Sequence, residues 1–139
     1  MKIGEAPQSC MTMFAQWQEY ISDGNKYLIT SDFKAAKFQY EMARQYAEKM
    51  FNIEFDLYQA APALVVTYHN IADLNRKLGD VSSVKFYLEK VHSTILKMLM
   101  ETAHDNEKHA LLLRLSFKTY NKIIKFKKCS IYYLSLIHI

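Results

Sequence analysis

"YHNIADLNRKLGD", residues 68–80, is the stretch on which the fold turns. Tyr68, Ile71 and Leu78 recur at helical spacing, and the chain then meets Gly79, one of only three glycines in 139 residues. A left-handed residue that closes a helix costs glycine almost nothing. Asp80 can then accept free N–H groups at the start of a next helix, carried by Val81, Val84, Leu88, Val91, Ile95 and Met98. "SDGNKYLITSDF", residues 22–33, follows the same rhythm, with Ser31 in the place of Gly79 and Asp32 in that of Asp80. The reading is a reversal between two helices, made twice.

Working outward, the apolar period places a first helix over about residues 11–30, on Phe14, Trp17, Ile21, Gly24 and Leu28. A second starts after Ser31-Asp32 and carries Phe33, Ala36, Tyr40, Ala43, Ala47 and Phe51. The third is expected to begin at Pro62, a residue suited to a first helical turn. A fifth follows Asp105 or Asn106, with Leu112, Leu113, Phe117, Tyr120, Ile123 and Ile124 facing inward and Arg114, Lys118, Lys122 and Lys125 outward. On that reading Leu111 and Leu115 fall beside the cations, as a second contact surface. A shift of 48 residues lays Gly24 on Ala72, Asp32 on Asp80, Phe33 on Val81, Ala36 on Val84, Tyr40 on Leu88 and Ala43 on Val91. Self-similarity at a fixed period predicts stacked helical hairpins, with small residues where two helices approach closely.

These residues carry a resemblance. Gly24, Tyr27, Asp32-Phe33, Ala36, Tyr40 and Ala43 resemble one tetratricopeptide (TPR) repeat, and Tyr68, Ile71, Ala72 and Leu78-Gly79-Asp80 a second. The likeness covers about residues 17–95, with the fifth helix as a cap or a broken third repeat. Asp23 and Asn75 stand where the motif prefers apolar residues, Val84 replaces an alanine, and the proline that follows each repeat is missing. The shift of 48 also exceeds the motif's ~34, which implies extended second helices. "HNIADLNRKLGD" is similar to a small proteobacterial group of TPR-like proteins without assigned function. The implied fold is an all-α, right-handed solenoid of about five helices in antiparallel hairpins.

Composition agrees with helices. Two prolines and three glycines are too few for a turn-rich β fold, and half the residues are apolar. The net charge of +4 is uneven: residues 1–80 hold eight Lys/Arg against ten Asp/Glu, and residues 81–139 ten against four. Cys10 and Cys129 lie near opposite ends without a CxxC spacing, so the chain is expected to be cytoplasmic and reduced. No apolar run reaches the ~18 residues that span a bilayer, and no secretory signal opens the chain. Residues 1–10 are expected to be a flexible extension, with Met11 or Met13 as the true start, and residues 11–128 the helical domain. Residues 129–139 form a tail in which "LSLIHI", 134–139, spells a translated sequencing adaptor and is set aside.

Chemistry is searched for with a negative result. The sequence holds no Gly-rich phosphate loop, no HExxH and no nucleophile elbow. Glu89-x-x-His92 and Glu101-x-x-His104 form half of a carboxylate-bridged metal motif. Twelve residues along one helix part them by roughly 18 Å, so they do not share a site. His109 and His138 have no partner pattern, the methionines read as gap-filling core, and the aromatics fill hairpin interiors more than they offer base-stacking platforms. No catalytic residue, cofactor or metal is expected.

The expected function is therefore non-catalytic binding of a protein or peptide partner on the concave face. Its residues are Asn25, His69, Asn70, Asp73, Arg76, Lys77, Arg114 and Lys118. Within the TPR resemblance, a subset of repeats clamps a peptide's C-terminal carboxylate. Asn70 matches its second asparagine, and Arg114 and Lys118 supply its cations in swapped order, a chemistry suited to a carboxylate. Gln18 and Ser22 stand where the first helix should give Lys and Asn, with Asn25 the nearest substitute. The alternative is nucleic-acid or anion binding through the basic fifth helix by phosphate neutralisation. Neither reading involves a membrane, and self-association is expected to cover exposed end faces.

Overall fold

A computed structural model of the chain describes residues 2–53 and 56–137, with side chains described over 12–53 and 56–129. Five helices follow in order: α1 Lys2–Ile29, α2 Phe33–Asn52, α3 Leu57–Lys77, α4 Val81–Glu101 and α5 Asn106–Ile137. No strand occurs among the described residues. Each helix packs on the next, and α3 also touches both α1 and α5. The protein is thus an all-α array of antiparallel helical pairs, with the odd-numbered helices side by side.

The two reversals are the same structure made twice. Asp32 N–H donates to Tyr27 O and Ser31 N–H to Leu28 O, while Asp80 N–H donates to Asn75 O and Gly79 N–H to Arg76 O. Each pair of bonds closes a Schellman turn and satisfies two orphan carbonyls of the outgoing helix. The residue between stands at positive φ in both, Ser31 at 64° and Gly79 at 78°. Asp32 then caps α2 by accepting from Ala35 N–H, and Asp80 caps α4 by accepting from Ser83 N–H. A serine in that left-handed backbone costs roughly 1 kcal/mol. Ser31→Gly is accordingly expected to raise stability by about 0.5–1 kcal/mol in urea melts, whereas Gly79→Ala should lower it.

Between the pairs the chain is less faithful to expectation. Asp56 caps α3, accepting from Tyr58 N–H, so this helix begins at Leu57 and Pro62 lies inside it. The aspartate cap outweighs the proline, which removes one interior hydrogen bond. α1 starts at Lys2, ahead of the expected residue 11. The period of 48 is filled by length in both members of a pair, since α3 and α4 each have 21 residues.

One continuous core runs from Trp17 and Ile21 of α1 through Tyr40, Ala43, Ala47 and Met50 of α2 to Leu64, Val65 and Tyr68 of α3. It continues to Val91 and Ile95 of α4 and Leu111, Leu112 and Leu115 of α5. The buried Trp17 indole N–H donates to Thr67 Oγ1 at 2.7 Å, and Thr67 donates to Ala63 O, which pins α1 to α3. On α5 the expected inward face is right for Leu112 and Ile123 and wrong for Leu113, Phe117 and Tyr120. Leu111, Leu112, Leu115, Ser116, Thr119 and Ile123 are buried, while Leu113, Phe117 and Tyr120 are exposed. Leucine, phenylalanine and tyrosine fall on several sides of this helix, and Ser116 and Thr119 enter the core because they turn their hydroxyls onto backbone carbonyls, of Leu113 and Ser116.

Candidate functional site

Hydrogen bonds and ion pairs join the three odd helices across one face. Asn70 Nδ2 of α3 donates to Asn25 Oδ1 of α1 at 3.3 Å, and the same oxygen accepts from Tyr40 O–H of α2 at 2.6 Å. Burial, and secondarily Asp73, pushes the Tyr40 phenol up to about 12, so it stays a donor. Four residues along α3 from His69, Asp73 pairs with Lys122 of α5 at 3.2 Å and with Arg76 of its own helix at 3.7 Å. Asn25 and Asn70 therefore tie α1 to α3, and Asp73 and Lys122 tie α3 to α5.

His69 departs from the expectation of an open polar face. It is only 7% exposed, and its Nε2 is buried with no hydrogen-bond partner among the described residues. Burial first, then the charges of Lys122 and Lys118, push the imidazole down to about 4, against a smaller pull upward from Asp73. A neutral histidine sits there because it is buried within reach of Lys118 and Lys122 of α5, which packs on α3. Lys118 of α5 comes close enough to be felt by His69, but it is exposed itself, as are Lys77 and Arg114. Lys77 and Arg114 make no hydrogen bond or ion pair among the described residues.

The structure thus gathers Asn25, Asn70, Asp73, Arg76, His69 and Lys118 and leaves Lys77 and Arg114 at the margin. It adds Tyr40 and Lys122, which the sequence reading placed in the core and among the outward cations. Lys122 stands four residues beyond Lys118, and that spacing was the available signal for it. Beside the Asp73–Lys122 pair lies a shallow cleft of about 110 Å³, floored by Ala72, Val84, Leu88 and Phe126 and edged by Arg76 and Lys125.

Away from this face, Arg44 pairs with Glu41 at 2.9 Å and Glu48 at 3.0 Å, and Glu48 accepts from Tyr68 O–H. These bonds knit α2 to α3 and are structural. His92 Nδ1 meets Thr119 Oγ1 at 2.7 Å, which ties α4 to α5, and His104 falls in the turn after α4 instead of on the helix. Among the described residues no three metal-ligating side chains gather. Cys129 is a free, exposed thiol, while the Cys10 side chain and His138 lie outside the described residues. No described helix is long and apolar enough to cross a membrane.

Fold and face together define an array of helical pairs whose odd-numbered members present a shared polar surface. The chain belongs to the family described as "Protein of unknown function (DUF2753)", whose family model matches residues 15–130. No curated protein and no solved structure matches it.

Proposed function

We propose that the chain is a non-catalytic, TPR-like interaction module that holds a peptide or partner segment along the face shared by α1, α3 and α5, in the cytoplasm. The observation that carries this reading is a pair of polar contacts, Asn25 with Asn70 and Asp73 with Lys122, which join α3 to α1 and to α5. The repeated Schellman turn and the 48-residue register support the TPR likeness. Asn70 keeps a second amide N–H beyond the one given to Asn25, and Lys118 and Arg114 bring exposed cations. Together these are donors suited to a carboxylate. Asp73 works against an anion at the α3–α5 junction, so the carboxylate belongs nearer Asn70 and Lys118 than Lys122.

A library of peptides with free C-termini, screened on the intact chain, tests the proposal. Asn70→Ala is expected to weaken a captured peptide about tenfold or more, since hydrogen bonds to charged groups are worth about 1.5–3 kcal/mol. Lys125→Ala should change affinity much less, and equal effects would defeat the reading. One observation favours a second reading: Arg114, Lys118, Lys125, Lys127 and Lys128 are exposed and make no ion pair among the described residues. Duplex DNA bound with a steep salt dependence would support that alternative, and no binding near physiological salt would remove it.

A further inference from the structure

Asn25 is exposed, yet its side chain is held more firmly than a surface asparagine requires. Its Oδ1 accepts from Tyr40 O–H at 2.6 Å and from Asn70 Nδ2 at 3.3 Å. An amide oxygen has two lone pairs, so both are taken. The Tyr40 phenol has one proton, and Asn25 Oδ1 is its only acceptor among the described residues. That bond settles which way round the amide sits. With oxygen and nitrogen exchanged, the proton of an almost wholly buried tyrosine would lose its acceptor. Asn25 Nδ2 gives neither of its two N–H groups to a described residue.

The second helical pair packs without this device. In the register of 48, Tyr40 corresponds to Leu88, Gly24 to Ala72 and Asn25 to Asp73. Ala72 and Leu88 lie in one apolar cluster, and neither side chain carries a polar atom. Packing two helices at this place therefore does not call for a phenol. Gly24 makes room for it, since a Cβ there would run into the Tyr40 ring. A glycine inside a helix is unfavourable relative to alanine, and a buried hydroxyl is unfavourable unless it is bonded. Two such choices, made together at one contact, bring a hydroxyl onto a surface amide. At the second junction the corresponding oxygen, that of Asp73, receives cations instead: Lys122 at 3.2 Å and Arg76 at 3.7 Å.

We propose, resting on the peptide-binding function just proposed, that Tyr40 is a positioning residue for that face. It fixes the Asn25 amide by its oxygen, which leaves both Asn25 N–H groups, beside the second N–H of Asn70, to take the terminal carboxylate of the bound segment at the α1–α3 junction. Asn25 then contributes donors alone, because its oxygen is filled. Hydrogen bonds to an ionised acceptor are roughly twice as strong as those between neutral groups. A carboxylate accordingly gains more from these N–H groups than a neutral carbonyl does. Asp73, one turn further along α3 from Asn70, is paired with Lys122 and Arg76, which limits its repulsion of an anion here. A Tyr40 hydroxyl that only stapled α2 to α1 would leave binding untouched when removed.

The probe is a fluorescein-labelled octapeptide selected on the intact chain from a library with free C-termini, together with a twin that ends in a carboxamide. Anisotropy titrations should show the carboxylate form bound at least tenfold more tightly than the twin. Tyr40→Phe keeps the ring and removes the hydroxyl. It should weaken the carboxylate form about three- to tenfold and narrow its lead over the twin. Asn25→Asp keeps an oxygen for Tyr40 and Asn70 but loses both N–H groups, and should weaken the carboxylate form at least tenfold, with circular dichroism unchanged. In an Asn25→Ala background, Tyr40→Phe should have no further effect on affinity, whereas a general loosening of the fold would add to the loss. Wild-type affinity in Tyr40→Phe or in Asn25→Asp, with Asn70→Ala still weakening the peptide, overturns the role of Tyr40 and leaves the peptide face standing. Additive effects of Tyr40→Phe and Asn25→Ala, or equal binding of the two twins, overturn it as well. No peptide captured by the wild type would remove the peptide face and this role together.

Discussion

Gly24→Ala and Tyr40→Leu are each expected to destabilise the protein by about 2–3 kcal/mol, and together to cost much less than their sum. A methyl group at position 24 would lie 2.4 Å from Tyr40 Cε1 and 2.5 Å from Cδ1. The ring cannot swing aside, because Tyr40 is almost wholly buried and its hydroxyl is held by Asn25. Alanine's better helix propensity, about 1 kcal/mol, offsets only part of the clash. Tyr40→Leu fails for the opposite reason: it empties ring volume over a glycine and removes the bond to Asn25. The second pair of helices has solved the same contact with Ala72 against Leu88, in one apolar cluster. Transplanting that solution into the first pair, as Gly24→Ala with Tyr40→Leu, should recover at least about 1–2 kcal/mol relative to additivity. Urea melts of the four proteins measure the coupling. Strict additivity would show that the two contacts are not counterparts, and the 48-residue register would lose its physical meaning.

The features legible in the sequence are those that local chemistry dictates. Asp32 and Asp80 cap helices because a carboxylate accepts from the N–H three residues on wherever the backbone starts to coil. Gly79 and Ser31 mark reversals because each is followed by such a cap. The burial of α5 was not legible, since Leu113 and Leu115, or Phe117 and Ile123, offer similar apolar surface on different sides of one helix. Only the packing of α3 and α4 against one side of α5 decides between them. His69 was misjudged for a related reason: its polar neighbours Asn70, Asp73 and Arg76 suggest solvent, yet α5 packs over it. Asn25 and Asn70 were chosen separately on the sequence. That they touch is a property of how α1 lies against α3. Pro62 suggested a helix start, and Asp56 supplied a stronger one six residues earlier.

The buried imidazole makes stability depend on pH in a definite direction. The unfolded chain binds a proton at this histidine below about pH 6.5, whereas in the folded protein His69 stays neutral down to about 4. Its contribution to stability is therefore complete above pH 6.5 and is lost as pH falls toward 4, to a total of roughly 3 kcal/mol. His92 is also held low by burial, so the test is a difference. Urea melts of the wild type and of His69→Leu, compared at pH 7 and pH 4.5, should show the wild type losing about 2 kcal/mol more than the variant. Parallel losses would mean that His69 titrates as it would in water, and the packing of α5 over it would then be wrong. The site of the loss follows from the neighbours. A proton on His69 would put a third positive charge beside Lys118 and Lys122 of α5, with Asp73 as the nearby acid that both histidine and Lys122 must share. Acid should accordingly loosen α5 from α3 before the first two helical pairs come apart, and hydrogen exchange at pH 4.5 should quicken in residues 111–123 ahead of residues 36–50.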